Sequence, residues 1–486
     1  MNNRPRRDES YNTVVIGAGA GGLVSAYITA ALKAKVALIE RGHMGGDCLN
    51  FGCVPSKALL RTAKFISEVR NHRKFGVKKA HIEFDFAEVM DRVHRVIKEI
   101  APHDSIERYT GLGVECIKGQ AEILDRNRVK VDGRILKTRN IILALGASPI
   151  VPDLPGLKEC GPLTSENLWN LRALPGKLIV LGGGPIGCEM AQAFQRLGSQ
   201  VTMVEMAPAI LAREDDDVSG MISSTFRDEG IQILAGTRAV RVEFVDGKKT
   251  LLCEQGDRND IRLPFDEILV AVGRRANTAG VDWDKLEIDL NPNGTFMVDA
   301  QMRANGSNIF ACGDCAGPYQ FTHTAAHQAW YCAVNALFSP FKSFTADYKV
   351  IPAVTFTDPE VAQVGFTEKS ATAAGLDFEV TRYGIDDLDR AITESAAHGM
   401  VKVLTRRGTD RILGATIVGS HSGELITEFV TAIKYGHGLN QILGTIHAYP
   451  TFAEANKYVA GNWKKAHAPA WAMPILAKFH AWRRRS

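Results

Sequence analysis

One grammar occurs twice in the chain, and it restricts the fold more than any other feature. Residues 13–16 are a short apolar run that reads as a buried strand, 17–22 a tight glycine turn, 23–33 a helix, and 36–40 a second strand ending on Glu40. The order returns as strand 178–181, glycine turn 182–187, a helix to residue 197, and strand 201–205, which ends on Glu205. Each stretch is a βαβ unit, so two parallel sheets covered by helices are predicted. An apolar strand follows each unit, 141–146 ending on Gly146 and 268–273 ending on Gly273, and these fit as sheet-closing strands. Beyond residue 348 the texture changes to longer alternating strands at 399–404 and 413–418 and a helix over 424–435, which predicts an α+β domain.

The glycine turns carry chemistry. Gly17, Gly19 and Gly22 satisfy G-x-G-x-x-G between strand and helix, where missing side chains let backbone N–H groups and the helix N-terminus approach a pyrophosphate. Glu40 stands 18 residues beyond Gly22, where a carboxylate accepts hydrogen bonds from an adenosine ribose. A turn that serves packing alone is the bland alternative, and the joint presence of strand, helix and acid argues against it. Gly182, Gly184, Gly187 and Glu205 repeat the set. A carboxylate at Glu205 accepts from a free 2′-hydroxyl and repels a 2′-phosphate, and residues 206–209 hold no arginine, so NADH is favoured over NADPH. Two sites in one chain imply two bound dinucleotides and a hydride relay between them.

Composition excludes several other classes. At 486 residues with 45% hydrophobic positions the chain has enough apolar surface for several cores, so disorder is not expected. No apolar run reaches the roughly 18 residues of a membrane-spanning helix, and Arg4, Arg6 and Arg7 lead into a glycine turn, so a cytoplasmic location is expected. Residues 464–486 carry six Lys/Arg and no Asp/Glu, more than the whole net charge of +4. The basicity therefore belongs to the tail and is no nucleic-acid footprint. Nine scattered cysteines are too few for a secreted disulfide framework.

One closely spaced pair stands apart. Cys48 and Cys53 are five positions apart before a helical stretch from about residue 57. A regular helix would separate their Cα atoms by roughly 7.5 Å along its axis, beyond the roughly 4.4–6.8 Å that a disulfide spans. The turn must therefore be distorted, with Gly52 supplying the freedom, and a pair so held near a helix N-terminus should be reducible and thiolate-prone. Two buried free cysteines are the alternative.

The run Gly46-x-Cys48-x-x-x-Gly52-Cys53-x-Pro55-x-Lys57 resembles the active-site turn of the class I pyridine nucleotide-disulfide oxidoreductases, which include dihydrolipoyl dehydrogenases, glutathione reductases and mercuric reductases. The resemblance implies an α/β fold of two Rossmann-like domains plus a C-terminal α+β dimerisation domain. An FAD-binding domain at 1–155 and 280–345 would be split around an NAD(P)-binding domain at 156–279, with homodimer contacts from 346–464 and a basic extension at 465–486. It further implies that Cys48 exchanges with substrate, that Cys53 contacts the flavin, and that Lys57 and Glu189 form an ion pair beside flavin N5. Cys312-Gly313-Asp314-Cys315 resembles the turn that holds the ribityl chain through Asp314, and 138–146 the strand that returns to the FAD domain. Gly46, Gly146 and Gly273 belong to the implied cofactor-binding set.

The resemblance breaks at residues 447–454. Family disulfide reductases carry His-Pro-Thr-x-x-Glu, whose imidazole from one subunit serves the thiols of the other, but the histidine position here is Tyr449, ahead of Glu454. A phenol with a reference pKa of about 10 cannot shuttle protons near neutrality as an imidazole of about 6.5 does. His447, two residues away, reads as structural. Tyr449-x-Thr451-x-x-Glu454, Gly313-Asp314-Cys315 with Gln320-Phe321, and Arg213-Glu214-Asp215 resemble mercuric reductases instead. Those enzymes end in a vicinal cysteine pair, whereas the last cysteine here is Cys332, and no Cys-rich domain precedes Cys48. No resident metal site is expected, and Cys312 with Cys315 reads as packed cysteines ahead of an auxiliary dithiol.

In the tail, Trp471, Ile475, Phe479 and Trp482 recur at i, i+4, i+8 and i+11, one apolar helical face with a basic end at 483–485. Docking on its own subunit or the dimer mate is expected ahead of peripheral membrane contact through 471–485. The chain is thus expected to be an NADH-dependent, FAD-containing homodimeric reductase of a small disulfide or thiol-reactive oxidant. Dihydrolipoyl dehydrogenase and mercuric reductase are the alternatives within the enzyme class. A flavin-bearing redox sensor or membrane-associated scaffold is the alternative outside it.

Overall fold

The computed structural model describes residues 10–245 and 247–484. Two compact units result. The first comprises the chain up to Arg70, Ala80–Ile210 and Arg227–Asp347; the second comprises Asn71–Lys79, Leu211–Phe226 and everything from Tyr348.

The first unit contains both repeats. Strand β1 (Ser10–Ile16), helix α1 (Ala20–Ala31) and strand β2 (Val36–Glu40) form the first. β1 lies parallel between β2, with Thr13 opposite Val36, and the strand Arg134–Leu143, with Ile16 opposite Leu143. Val114–Lys118 extends the sheet beyond β2, and Ile309–Ala311 pairs with the end of Arg134–Leu143. In the second repeat Lys177–Leu181 is flanked in parallel by Gln200–Val204 and Glu267–Val270, with Gln232–Leu234 outermost. The order of strands is thus the same in both, and the first strand of each has a crossover partner on either side. Val14 and Val15 are fully buried, as a parallel sheet covered on both faces requires, which is why the strand reads as a continuous apolar run.

Two elements have limits other than those the sequence suggests, and one sheet leaves no apolar signal, each for a physical reason. The first helix starts at Ala20, not 23, because Gly21 and Gly22 occupy its first turn, where a side chain would not fit. The sheet-closing strand begins at Arg134 and ends at Leu143. Its first half alternates buried and exposed against the antiparallel strand Arg128–Val131, and only its second half is the fully buried run that a search for apolar stretches detects. A three-stranded antiparallel sheet, Arg238–Val245, Lys248–Gln255 and Arg258–Phe265, lies inside the second repeat, in sequence too charged to register as apolar.

The second unit is built on a five-stranded antiparallel sheet: Ala353–Thr355, Glu360–Gly365, Ile412–Gly419, Met400–Arg406 and Phe378–Gly384, in spatial order. Helices Ser422–Tyr435 and Glu454–Ala466 close a core that includes Val364, Val403, Ile417, Phe429, Val459 and Trp463. Lys402, between Val401 and Val403 on one strand, must point to the opposite face. It is 0% exposed, and its ammonium lies 2.7 Å from Asp215, 2.6 Å from Asp217 and 3.0 Å from Glu368. This cluster ties the segment Leu211–Phe226 into the unit. Among the described residues no helix is long and apolar enough to cross a membrane.

Removing the ammonium would leave carboxylates converging on a buried point. Lys402→Met should therefore cost about 3 kcal/mol, the lower end expected for breaking a buried ion pair because two of the acids are partly solvated. A fall in the urea midpoint with faster amide exchange across 400–419 is expected, and an unchanged midpoint would show that the cluster is dispensable.

Candidate active site

Both glycine turns depend on close backbone approach. Gly17 has φ +101°, and a Cβ there would stand 2.3 Å from the Ala144 carbonyl oxygen; a Cβ on Gly22 would stand 1.7 Å from the carbonyl oxygen of Gly17. Gly182 and Gly187 repeat the relation, 2.5 Å from Ala271 O and 2.1 Å from Gly182 O. Any side chain at these places would lift the helix off its sheet. Gly19 and Gly184 are the N-caps of α1 and of Pro185–Leu197, and neither provides a side-chain cap, so the first N–H groups are left to an outside acceptor. A Cβ at Gly184 would meet nothing, and one at Gly19 only the Cα of Gly46 at 3.8 Å. Bare backbone at two helix N-termini fits two pyrophosphates.

The acids that close each repeat hold the turns together. Glu40 accepts from Ala18 N–H and Gly42 N–H, each at 2.6 Å, and Glu205 accepts from Gly183 N–H and, at 2.7 Å, Ala207 N–H. The two carboxylates thus occupy equivalent positions, each bridging its glycine turn to the residue two beyond itself.

Cys48 and Cys53 lie where the helix breaks. Cys48 is inside a short helix α2 (Gly46–Asn50), and Cys53 opens helix α3 (Cys53–Arg70). The predicted distortion is at Phe51 and Gly52, whose N–H groups both donate to Asp47 O, at 2.8 and 2.7 Å. Gly52 has no left-handed backbone, and a Cβ there would stand 3.0 Å from Asp47 Oδ2 and 3.3 Å from Asp47 O, so a side chain would press on the turn. Gly46, at φ +57°, packs its Cα against Gly19 so closely that a Cβ would be 2.6 Å from Gly19 Cα, which fixes the cysteine turn to the first glycine turn. The cysteines are strongly polarised. Cys53, at the helix start, is lowered to about 6 by a hydrogen bond from Cys48, aided by Thr322 and the charge of Lys57. The same bond and burial push Cys48 well above its ordinary value. Thr322 Oγ1 is 3.4 Å from Cys53 Sγ. One turn into α3, Lys57 Nζ meets Glu189 Oε2 at 2.8 Å, and the glutamate is buried in the helix of the second repeat.

Asp314 stands on the turn Gly313–Cys315. Gln328, fully buried, anchors that turn, accepting from Gly313 N–H at 2.7 Å and donating to Gly317 O at 2.8 Å. Burial pushes the Asp314 carboxyl up against the pull of Arg274, whose Nε is 3.7 Å away. A desolvated carboxyl of this kind fits a hydroxyl-bearing chain such as ribityl. Arg274 also reaches Asp47 at 3.3 Å and Ala147 O at 2.6 Å. Sequence reasoning missed it, although it directly follows Gly273. Gly146 and Gly273 precede the two strands of a ribbon, Ala147–Pro149 paired with Arg274–Ala276. Thr322 and Gln328 were missed too, for lack of any motif signal. Cys312 and Cys315 are buried; Cys315 is pushed up to about 12 by burial and donates to Cys312 O at 3.2 Å, the geometry of packed thiols.

The remaining candidates belong to the second unit. Tyr449 is 69% exposed and donates to Asp389 Oδ2 at 2.9 Å, a bond that raises its pKa. Glu454 is buried and accepts from Tyr458 Oη at 3.1 Å and Thr451 N–H at 3.3 Å. His447 has its Nδ1 on Thr445 O at 3.1 Å and its Nε2 on Glu428 at 3.0 Å. With both ring nitrogens facing acceptors, this imidazole has none left for a thiol.

The polarisation of the pair gives a direct test. A thiol with a lowered pKa is a thiolate above that value and loses its charge as pH falls through it. In the reduced protein, ultraviolet thiolate absorbance should therefore fall with a midpoint near pH 6, and Cys53→Ser should remove that step. A single titration at the ordinary thiol value of 9.0 in both proteins would rule the polarised pair out.

Comparison with known proteins converges on one family. The profile described as pyridine nucleotide-disulphide oxidoreductase matches residues 11–329, and the profile of that family's dimerisation domain matches 351–460. A dihydrolipoyl dehydrogenase of Chlamydia muridarum is 34% identical over 453 residues, 92% of this chain and 95% of that one. A mercuric reductase of Lysinibacillus sphaericus is 31% identical over 459 residues, 94% of this chain and 83% of that one. Among solved structures, the Cu(II) complex of the HOCl-induced flavoprotein disulfide reductase RclA from Escherichia coli superimposes with a TM-score of 0.82 at 28% identity, covering 92% of this chain and 98% of that one. With its two dinucleotide repeats, polarised cysteine pair and C-terminal dimerisation domain, the chain belongs to the pyridine nucleotide-disulphide oxidoreductase family, FAD-dependent enzymes that draw on a nicotinamide dinucleotide.

Proposed function

We propose that the enzyme takes electrons from NADH and delivers them through FAD and the Cys48/Cys53 pair to a small disulfide or another thiol-reactive oxidant. The polarised pair carries this reading: one sulfur is held as a thiolate at neutral pH while its neighbour keeps a proton. FAD supplies the two-electron relay between the nicotinamide and the cystine. In this assignment 1–155 with 280–345 bind FAD, 156–279 bind NADH, 346–464 form the dimer interface, and 465–486 are an extension. Gly17, Gly19, Gly22, Glu40, Gly46, Gly146 and Asp314 serve the FAD. Gly182, Gly184, Gly187, Glu205 and Gly273 serve the nicotinamide dinucleotide, with Glu205 selecting a free 2′-hydroxyl. Lys57, held by Glu189, keeps positive charge beside Cys53.

Turnover follows from the pair. Two electrons and one proton open the 48–53 disulfide, leaving Cys48 as thiol and Cys53 as thiolate. Cys48, once deprotonated, attacks one sulfur of the oxidant, forms a mixed disulfide and expels the first thiolate. Cys53 then attacks Cys48 Sγ, expels the second thiolate and restores the disulfide. The partner subunit supplies Tyr449 and Glu454 to the substrate side in this reading. A phenol that donates to Asp389 and has a raised pKa does not take the Cys48 proton near neutrality. Oxidants whose released group is stable as an anion without receiving that proton are therefore favoured over lipoamide, and soft-metal ions such as Hg(II) stay among the oxidants to try. Nine cysteines scattered over 486 residues form no secreted disulfide framework, which suits a reducing cytoplasm.

Anaerobic NADH titration of the yellow protein should consume one equivalent beyond that needed for the flavin, and NADPH should be at least about tenfold poorer. Reoxidation is then compared with lipoamide, glutathione disulfide, other small disulfides, Hg(II) and Cu(II). Cys48→Ser should lower turnover by roughly 10³-fold while NADH still reduces the flavin; normal turnover in that variant would remove Cys48 from the mechanism. Slow oxidase leakage with every oxidant would point to a redox sensor. Tyr449→His should raise lipoamide-linked kcat/KM by roughly 10²-fold, and no gain would show that the imidazole is not what this chain lacks.

A further inference from the structure

The helix Ala472–Arg483 lies beyond residue 460, where the match to the dimerisation domain ends, and no residue of it is buried. Trp471 is 73% exposed, Ile475 58%, Phe479 46% and Trp482 66%. Its own subunit therefore leaves the segment uncovered, and of the expected docking only that on the dimer mate remains open to test. At about 100° per residue the four side chains fall within roughly 80° of helix surface, as the sequence spacing implies. Met473 and Leu476, 49% and 44% exposed, project elsewhere around the axis. The helix is thus apolar around most of its girth, and its charge varies along the axis instead: Lys478, Arg483 and Arg484 gather toward the C-terminal end. Residue 485 lies outside the described residues.

We propose that this helix seats the enzyme on an anionic phospholipid surface. The stripe of Trp471, Ile475, Phe479 and Trp482, widened by Met473 and Leu476, gives an acyl boundary a broad apolar surface to take in. Trp471 and Trp482 stand at opposite ends of the helix, as indoles do at the level of headgroups, where the ring is buried and the N–H meets water or phosphate. Lys478 and Arg483 border the aromatic stripe on either side, so their stems can lie on it while their charges rise to the phosphates. Arg483 already lies over the Phe479 ring, 5.9 Å from its centre, and the Trp482 ring is tilted against the same ring at 6.1 Å. Six Lys/Arg and no acid in 464–486 give this segment the sign that anionic lipid attracts. At 12 residues it is too short to span a bilayer, so it lies in the interface.

The test is flotation of the full-length FAD-loaded enzyme with vesicles of phosphatidylcholine alone or with about 30% phosphatidylglycerol, alongside light scattering for oligomeric state. Binding to the phosphatidylglycerol vesicles only, weakened at least about tenfold by high salt, is expected. Trp471→Ala/Phe479→Ala/Trp482→Ala and, separately, Lys478→Glu/Arg483→Glu should each abolish flotation while leaving reductase activity and dimer mass unchanged. Equal binding to both vesicle types would overturn the anionic specificity. No flotation overturns the proposal outright, and if the triple variant then also loses dimer mass, a second copy of the chain is what covers the helix.

Discussion

The contact between Gly22 and Gly17, and of Gly17 with the carbonyl of Ala144, governs the first unit. A helix can start directly above the end of its strand only if nothing but backbone separates them, and two absent Cβ atoms provide that room. The consequence reaches the chemistry: α1 presents its N–H groups at a fixed height, Gly19 receives Gly46, and Gly46 begins the turn that carries Cys48. Glu40 secures the same turn from the other strand. A methyl group at Gly17, Gly22 or Gly46 would displace the backbone that joins α1 to the cysteine turn, so under the proposed function cofactor binding and redox chemistry share one constraint.

The cysteine turn turns this placement into reactivity. Continuing one helix through residues 46–70 would hold the two sulfurs too far apart. The break at Phe51 and Gly52 lets them hydrogen-bond and places Cys53 at a fresh helix start, where N–H groups and Lys57 favour negative charge. The asymmetry that a disulfide reductase needs, one sulfur anionic and one protonated, is therefore a product of where the helix is interrupted. Lys57 in turn is held by Glu189 from the other repeat, so the second dinucleotide repeat helps set the charge beside the first.

At residues 447–454 a tyrosine stands two positions beyond the histidine. His447 is consumed by Glu428 and Thr445, and Tyr449 is turned to Asp389. Under the proposed function no imidazole takes up the Cys48 proton, and this narrows the oxidants turned over quickly.

Much of this was legible in the amino-acid order. The two βαβ units, the acid closing each, the kinked cysteine pair and the missing histidine are local patterns, because glycine spacing, strand periodicity and short-range stereochemistry act within some 30 residues. Helix starts and strand limits were less exact, since Ala20 and Arg134 are set by what packs against them. Residues that act across long separations left no local trace: Arg274 meets Asp47 and Asp314 only after the sheets form, Gln328 supports the Gly313 turn from a helix, and Asp389 finds Tyr449 from 60 positions away. The sequence also determined that the tail is an apolar helix with a basic end, but only the folded chain decided that its own subunit leaves the helix uncovered. A side chain's neighbours in sequence fix its conformation; its partners across the fold fix its charge and exposure, and those emerge only when distant segments close on one another.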